Sequence, residues 1–226
     1  LDQLGIGVFT QALEDALLDG RIDVAVHSLK DMPSQLGSEF EIAAVTERED
    51  PREVLINRWN CRFADMPEGA RIGTGSPRRK AQILGQRPDL VIGEIRGNVP
   101  TRIEKALGGE SSGLDGSIMA AAGVNRLKRT EVIAEHLDPN IFVPAVGQGS
   151  LAMEIRSGDK EARNIVVAAE DASARIAATG ERSFLRTTEG GCSAPVAAYA
   201  RLQDGKLIIT GYASSLDGSQ ILIETL

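Results

Sequence analysis

The stretch "ARIGTGSPRRKAQILGQ" (residues 70–86) joins a short apolar strand, a glycine-containing turn and a helical pattern. Ser76 is a good helix N-cap, and Pro77 suits the first helical position. The same order recurs in "DLVIGEIRGNVPTRIEKAL" (89–107) and in "LDGSIMAAAGVNRL" (114–127). Strands that alternate with helices predict a parallel sheet covered on both faces. This part of the chain is therefore predicted to be an α/β unit.

The residues before this stretch predict a second unit. Phe9, Leu13 and Leu17 fall on one helical face, and Gly20 is placed to end that helix. Strand-like runs follow at "IDVAV" (22–26), "EIAAV" (41–45) and "EVLI" (53–56). The charged segment "TEREDPR" (46–52) is the first predicted domain boundary.

The second half of the chain changes character. "IFVPAVGQGSLAMEI" (141–155) has proline and glycines inside apolar runs, which predicts a strand, a hinge and another strand. A helical pattern covers about 159–188. After it, three strand-like runs are separated by "QDGK" (203–206) and "SLDGSQ" (215–220), both turn signals. The tail is therefore predicted to be an antiparallel meander.

Composition excludes several classes of function. The chain has 226 residues and a net charge of −7, which argues against a general nucleic-acid or membrane binder. No run approaches the roughly 18 to 20 apolar residues that a membrane span needs. Two cysteines, Cys61 and Cys192, make no disulfide framework, so a reducing, cytoplasm-like compartment is expected. No His/Cys cluster has metal-ligand spacing, so no metal site is predicted.

Two helix starts carry arginines. Arg78 and Arg79 lie in the first turn after Ser76, where the helix dipole disfavours cations by roughly 0.3 to 1 kcal/mol each. Arg96 and Arg102 flank a second start. Free N–H groups and arginines favour carboxylates or phosphates, and ligands bind outside the carboxyl ends of parallel strands. The alternative is that these arginines are solvated charges paired with nearby acids.

Asp31 follows the predicted strand 22–26 directly. Lys30 beside it would keep the carboxylate ionised, and such a carboxylate can bind N–H groups and stabilise positive charge. The alternative is an aspartate that caps the loop before Pro33. His27, at the strand end, is interpreted as structural.

Cys192 stands in "TTEGGCSAP" (187–195), behind two glycines and shortly before a proline. Such a sequence favours an open turn, whereas cysteine is usually buried. The residue types alone do not indicate a function for this thiol. Cys61, in "WNCRFADMP", has no comparable context and is interpreted as a bystander.

Five motifs in order identify a resemblance: "VHSLKDMP" (26–33), "GTGSPRR" (73–79), "RGNVPTR" (96–102), "PAVGQG" (144–149) and "EGGCSAP" (189–195). Together they resemble the porphobilinogen deaminase, or hydroxymethylbilane synthase, family. The similarity extends from "GVFTQALE" (7–14) to the turn at 215–220.

The resemblance implies a transferase of tetrapyrrole and haem biosynthesis. Such an enzyme joins four porphobilinogen molecules head to tail, releases ammonia at each step and yields hydroxymethylbilane. It carries a dipyrromethane cofactor linked by a thioether to a loop cysteine, which implies Cys192 here. Asp31 is implied as the catalytic carboxylate. A monomer without nucleic-acid or membrane partners is expected, in the cytoplasm, with a plastid or mitochondrion left open.

The remaining implied site residues contact cofactor and substrate. Because each porphobilinogen brings two carboxylates, a growing chain needs several arginines. The implied contacts are Ser28, Lys30, Thr74, Ser76, Arg78, Arg79, Arg96, Arg102, Arg126 and Gln148, the last within the hinge motif.

The family fold implies three domains. Residues 1–50 with 147–168 and residues 52–144 would form two α/β domains similar to periplasmic binding proteins. Residues 172–226 would form a small α+β domain with a three-stranded antiparallel sheet. Compared with the family, the chain is expected to lack the first strand, helix and strand, whose place is before Leu1, and the last helix of the third domain. Two departures are Ile6, where the family has a lysine, and Pro77, where leucine is common.

Two other functions remain open from the residues. A non-catalytic two-domain module that binds anions would explain the arginines and the hinge but not Cys192. A hydrolase with a cysteine nucleophile would use Cys192 but needs a base, and neither histidine is identifiable as its partner.

Overall fold

The structure is a computed structural model that describes residues 7–188 and 195–226, with side chains from Thr10 onward. The helices are α1 Gly7–Leu18, α2 Pro77–Gln86, α3 Val99–Leu107, α4 Ala121–Arg126, α5 Lys160–Val166 and α6 Ala172–Thr187. The strands are β1 Ala25–Ser28, β2 Phe40–Val45, β3 Glu53–Asn57, β4 Arg71–Gly73, β5 Val91–Gly93, β6 Gly116–Ala120, β7 Glu135–His136, β8 Leu151–Arg156, β9 Val196–Gln203, β10 Lys206–Ser214 and β11 Ile221–Thr225. Among these residues, no helix is long and apolar enough to cross a membrane.

The first sheet has the order β1-β8-β2, and β8 runs antiparallel to both neighbours. The predicted strand 22–26 is wrong in its position, because pairing begins at Ala25 opposite Glu154. The side chain of Arg156 instead binds the carbonyl of Ile22 at 2.8 Å and holds it outside the ladder.

The second sheet has the order β5-β4-β6-β3-β7. The strand–helix repeats form its parallel part, as predicted, because β4 pairs parallel with both β5 and β6. A wholly parallel sheet is wrong, since β3 pairs antiparallel with β6 and with β7. The chain enters β3 from residues 46–52 without a helical crossover, and an antiparallel neighbour needs none.

Both faces of the second sheet are covered, which confirms that part of the prediction. Along β3, Leu55 joins an apolar cluster with Ile83 of α2. Val54 and Ile56 point to the opposite face and pack with α3 and α4. This alternation is the period-2 pattern of a strand buried on both sides.

Two connecting segments, 46–52 and 144–150, link the first two sheets. The strand predicted for the start of 141–155 is wrong, because only β8 forms. Pro144 cannot donate to a ladder, and Gly147 and Gly149 have φ of 72° and 100°. A Cβ at Gly149 would meet the carbonyl oxygen of Glu49. The two connecting segments therefore lie backbone against backbone.

The third sheet is the predicted meander, with the order β11-β10-β9 and antiparallel pairing throughout. The helical pattern over 159–188 is confirmed as two helices, α5 and α6, separated by a break. Asp171 starts α6 by accepting a hydrogen bond from the N–H of Ala174 at 2.7 Å. The three domain ranges given above stay a prediction.

Candidate active site

A cavity of about 240 Å³ lies between the loop after β1, the helices of the second sheet and the connecting segment 144–150. Six predicted site residues line it, and four of them are cationic side chains. They are Ser28, Lys30, Asp31, Arg79, Arg102 and Arg126. The cavity thus combines one carboxylate with a strongly positive wall.

A single 3₁₀ turn, Leu29–Asp31, presents the first part of the site. Leu29 is buried in the core, and its N–H donates to the carbonyl of Ser150 at 3.0 Å. With Leu29 fixed on both counts, Lys30 and Asp31 are left to line the cavity. The turn therefore converts a strand end into a platform for two charged side chains.

Helix α2 begins as its sequence predicts. The hydroxyl of Ser76 accepts from the N–H of Arg79 at 3.4 Å. Thr74 Oγ1 in turn accepts from the N–H of Ser76 at 3.1 Å. Thr74 and Ser76 thus order the turn before the helix, and neither lines the cavity.

The two adjacent arginines of α2 have different surroundings. Arg78 is buried and donates to Oε1 of Glu53 at 2.6 Å and to the carbonyl of Val143 at 2.8 Å. Arg79 donates to Oε2 of the same carboxylate at 2.8 Å and lines the cavity. Its Nε is buried and has no hydrogen-bond partner among the described residues. Arg79, and not Arg78, is therefore placed to receive a ligand.

Helix α3 begins with a similar arrangement. Asn98 caps it by accepting from the N–H of Thr101 at 3.0 Å. Arg102 donates its Nε to the carbonyl of Gly97 at 2.7 Å and lines the cavity. Burial and the nearby Arg79 lower the pKa of Arg102, and Asp31 opposes that decrease. Arg96, by contrast, is exposed beside Glu94, 3.7 Å away, and does not line the cavity.

Two side chains connect the cavity to the segment 144–150. Arg126 of α4 donates to the carbonyl of Gly149 at 2.9 Å. The fully buried carboxamide of Gln148 accepts from Nζ of Lys30 at 3.4 Å and donates to the carbonyl of Pro51 at 2.8 Å. Gln148 therefore lies behind the cavity wall and joins it to both connecting segments.

The pKa of Lys30 lies well below its ordinary value. Burial and the nearby Arg79 lower the pKa of Lys30 to about 8. Glu53 and Asp31 act in the opposite direction and retain part of its basicity. Lys30 is therefore a cation at neutral pH that titrates in the mildly alkaline range.

Cys192 lies outside the described residues. The other cysteine, Cys61, is half-buried against the core of the second sheet, which fits its interpretation as a bystander. His27 pairs with buried Glu154 at 2.9 Å, which confirms its structural interpretation. Within the described residues, no group of three or more histidine, cysteine, aspartate or glutamate side chains is placed to hold a metal ion.

Sequence reasoning missed Glu53, whose carboxylate pairs with both arginines of α2. The signal was present, since Glu53 is a charged residue at the start of an apolar run. It also missed Glu181 of α6, which is buried and bonded to Arg48 at 2.7 Å. Glu181 carried no signal, because it lies in a polar helical stretch.

Two family models match the chain. Residues 1–164 match the cofactor-binding domain of porphobilinogen deaminase, described as the "dipyromethane cofactor binding domain". Residues 175–226 match the porphobilinogen deaminase C-terminal domain. The chain belongs to the porphobilinogen deaminase family.

Curated relatives agree with this membership of the porphobilinogen deaminase family. The enzyme named porphobilinogen deaminase from Syntrophotalea carbinolica is 44% identical over 222 residues, which cover 98% of this chain and 70% of the relative. The one from Moorella thermoacetica is 46% identical over 216 residues, which cover 96% of this chain and 68% of the relative. The one from Syntrophomonas wolfei is 47% identical over 214 residues, covering 95% and 69%.

Solved structures are more distant. A YaeC-family lipoprotein from Enterococcus faecalis has a TM-score of 0.46 and 12% identity, covering 79% of this chain and 81% of that one. An ABC transporter protein from Parabacteroides distasonis has a TM-score of 0.44 and 14% identity, covering 80% and 67%. The family assignment rests on the sequence matches and on neither of these structures.

The residues present fit the dipyrromethane cofactor of the porphobilinogen deaminase family. Such a group carries carboxylate side chains, and the cavity offers Lys30, Arg79, Arg102 and Arg126. The unpaired, buried Nε of Arg79 is a donor that a carboxylate would satisfy. The cavity chemistry therefore suits a polycarboxylate pyrrole.

Proposed function

We propose that the protein is a hydroxymethylbilane synthase, which polymerises four porphobilinogen molecules head to tail and releases four molecules of ammonia. The observation that carries this proposal is the cavity itself. It places one carboxylate, Asp31, among Lys30, Arg79, Arg102 and Arg126, in a chain of the porphobilinogen deaminase family. A substrate with two carboxylates and a pyrrole N–H needs both kinds of group.

The cationic residues bind and orient the substrate. Arg79, Arg102 and Arg126 grip acetate and propionate carboxylates, for which the planar guanidinium is suited. Lys30 adds a further cation beside Asp31. Ser28 completes the wall with a hydroxyl that can donate or accept.

Asp31 acts on the reacting pyrroles. Its carboxylate accepts hydrogen bonds from pyrrole N–H groups. When the protonated aminomethyl group of porphobilinogen leaves as ammonia, the methylene carbon becomes cationic. Asp31 stabilises that positive charge until the free carbon of the neighbouring pyrrole attacks it and loses its proton.

Cys192 is the proposed attachment point of the cofactor, by a thioether bond. When bound, the dipyrromethane supplies the free pyrrole carbon at which polymerisation begins. Five of the residues predicted to contact cofactor and substrate do not line the cavity: Arg78, Arg96, Thr74, Ser76 and Gln148. We also propose that the enzyme works in the cytoplasm, since its two cysteines fit a reducing compartment.

Intact-mass measurement of the full chain, produced in cells that make porphobilinogen, tests the proposal. We expect a mass excess equal to a dipyrromethane, retained in Cys61→Ser and lost in Cys192→Ser. We also expect the unaltered chain to form hydroxymethylbilane from porphobilinogen. An unmodified Cys192 together with absent product would overturn the proposal. Binding of porphobilinogen without product would favour the anion-binding module.

A further inference from the structure

A buried carboxylate lies directly behind the cationic wall of the cavity. Glu53 is the first residue of β3, and its side chain is fully buried. Its two oxygens are shared between neighbouring arginines, with Oε1 on Arg78 at 2.6 Å and Oε2 on Arg79 at 2.8 Å. Each guanidinium is thereby held by a separate oxygen of one rigidly placed group.

The charge of Glu53 is maintained by these partners. Burial opposes its ionisation, but Arg79 and Arg78 more than offset that effect and lower the pKa of Glu53 to about 2. Lys30 contributes in the same direction. Glu53 is therefore an anion throughout the neutral range, and its single negative charge acts on three cations of the site.

The consequences for the two arginines differ. Arg78 has further hydrogen bonds to the carbonyl of Val143 and to Gln82, so its position is fixed several times over. Within the described residues, the side chain of Arg79 makes one hydrogen bond, and its acceptor is Glu53. A further donor of Arg79, Nε, is buried and has no hydrogen-bond partner among the described residues, and the Arg79 side chain as a whole lines the cavity. The direction of Arg79 thus depends on Glu53.

We propose that Glu53 is a positioning residue, whose carboxylate holds the Arg79 guanidinium so that its free donors meet a carboxylate of the substrate or cofactor. This inference rests on the proposed function. Glu53 does not line the cavity and acts through Arg79. A merely structural role would lower stability and leave ligand binding by the folded protein unchanged.

The test compares Glu53→Gln and Glu53→Asp with the unaltered full chain. We expect Glu53→Gln to raise KM for porphobilinogen by about tenfold, the loss of one charge-assisted hydrogen bond, with a smaller change in kcat. The fraction of chain that carries the dipyrromethane mass should fall as well, and this readout does not depend on turnover. Glu53→Asp keeps the charge and should recover part of both losses.

Two controls separate positioning from stability. Glu135→Gln removes a carboxylate of the same sheet, which accepts from the N–H of Phe63 at 2.6 Å and from Arg62 at 3.3 Å, outside the cavity. It should lower the unfolding temperature but leave KM and cofactor loading unchanged. In an Arg79→Gln background, adding Glu53→Gln should change KM less than about twofold, because the residue it acts through is gone.

A variant that fails to fold does not end the test. Glu53→Gln leaves two buried arginines without their shared carboxylate. The same change is therefore also made in an Arg78→Met background, in which one of those two cations is already removed. Arg78→Met/Glu53→Gln is then compared with Arg78→Met. KM and loading equal to the reference in a folded Glu53→Gln chain would overturn the role of Glu53 alone. Absence of both cofactor mass and product in the unaltered chain would overturn the proposed function, and the role of Glu53 with it.

Discussion

Arg48 and Glu181 form a buried ion pair, with 2.7 Å between Nη1 of Arg48 and Oε1 of Glu181. The same carboxylate accepts from the N–H of Gly147 at 2.6 Å and from the N–H of Ala200 at 2.7 Å. Arg48 also donates to the carbonyl of Gln148 at 2.8 Å. One carboxylate of α6 therefore joins both connecting segments to the third sheet.

Arg48→Gln should destabilise the protein by about 3 to 5 kcal/mol, since it leaves a buried carboxylate without its counterion. Burial raises the pKa of Glu181, and Arg48 offsets only part of that effect. A raised pKa means that the folded state favours protonated Glu181 more than the unfolded state does. The destabilisation caused by Arg48→Gln should therefore become smaller as the pH falls from neutral towards the ordinary pKa of a glutamate.

Urea unfolding of Arg48→Gln at several pH values measures both effects. Arg129→Gln is the matched control, since it removes an exposed arginine paired with Glu131 at 2.6 Å. That variant should change the free energy of unfolding little. Equal losses in the two variants would show that the Arg48–Glu181 pair contributes no more than a surface ion pair.

Lys30 should make substrate binding depend on pH. Since its pKa is lowered to about 8, Lys30 is charged below that pH and neutral above it. A carboxylate ligand then loses one cationic partner, so KM for porphobilinogen should rise between about pH 7 and about pH 9.5. Lys30→Arg should remove this rise, because arginine does not titrate there. The same rise in Lys30→Arg would assign the titration to a different group.

Local signals were sufficient to predict the helix starts of the site. Ser76 with Pro77 predicts an N-cap followed by a proline in the first turn, and α2 begins there. The structure shows the same pattern at the start of α3, which Asn98 caps and which has Pro100 in its first turn. Such signals depend on residues within one turn of each other. They therefore do not depend on contacts with distant parts of the chain.

The direction of a side chain within those helices could not be predicted in the same way. Arg78 and Arg79 are equivalent in the sequence, yet one is held in the interior and the other lines the cavity. Both pair with Glu53, and Arg78 is set apart by its hydrogen bonds to Gln82 and to the carbonyl of Val143, which lies 65 residues further along the chain. The antiparallel pairing of β3 and the irregular course of 141–150 likewise depend on contacts between distant segments.

Asp31→Asn should abolish most turnover while the fold persists. Asp31 is exposed, and its side chain makes no hydrogen bond among the described residues, so its removal costs little stability. The loss of a carboxylate beside a developing cation should lower kcat by about a hundredfold or more. Turnover of porphobilinogen and the unfolding temperature are the two measurements.

Asp65→Asn is the matched control for Asp31→Asn. Asp65 is the last residue of the 3₁₀ turn Phe63–Asp65, and Asp31 is the last residue of the 3₁₀ turn Leu29–Asp31. In both cases the next residue is a buried methionine. Asp65 lies outside the cavity, so its variant should keep full turnover. Equal turnover in the two variants would rule out the proposed role of Asp31.

Gly218→Ala should loosen the contact between the third sheet and α2. Gly218 has φ of 72°, and a Cβ there would meet the carbonyl oxygen of Ala81 and lie 2.9 Å from the N of Gly85. Gly205, in the other turn of the sheet, has φ of 73° with nothing within 4 Å of its Cβ position. Gly205→Ala thus measures the backbone strain alone, about 1 to 2 kcal/mol.

Gly218→Ala should cost a further 1 to 3 kcal/mol or so, because two backbones must separate. The difference in free energy of unfolding between the two variants isolates that contact. Since α2 also carries Arg79, the separation should raise KM for porphobilinogen in Gly218→Ala and leave it unchanged in Gly205→Ala. Equal destabilisation with equal KM would show that the turn at 215–220 does not bear on α2.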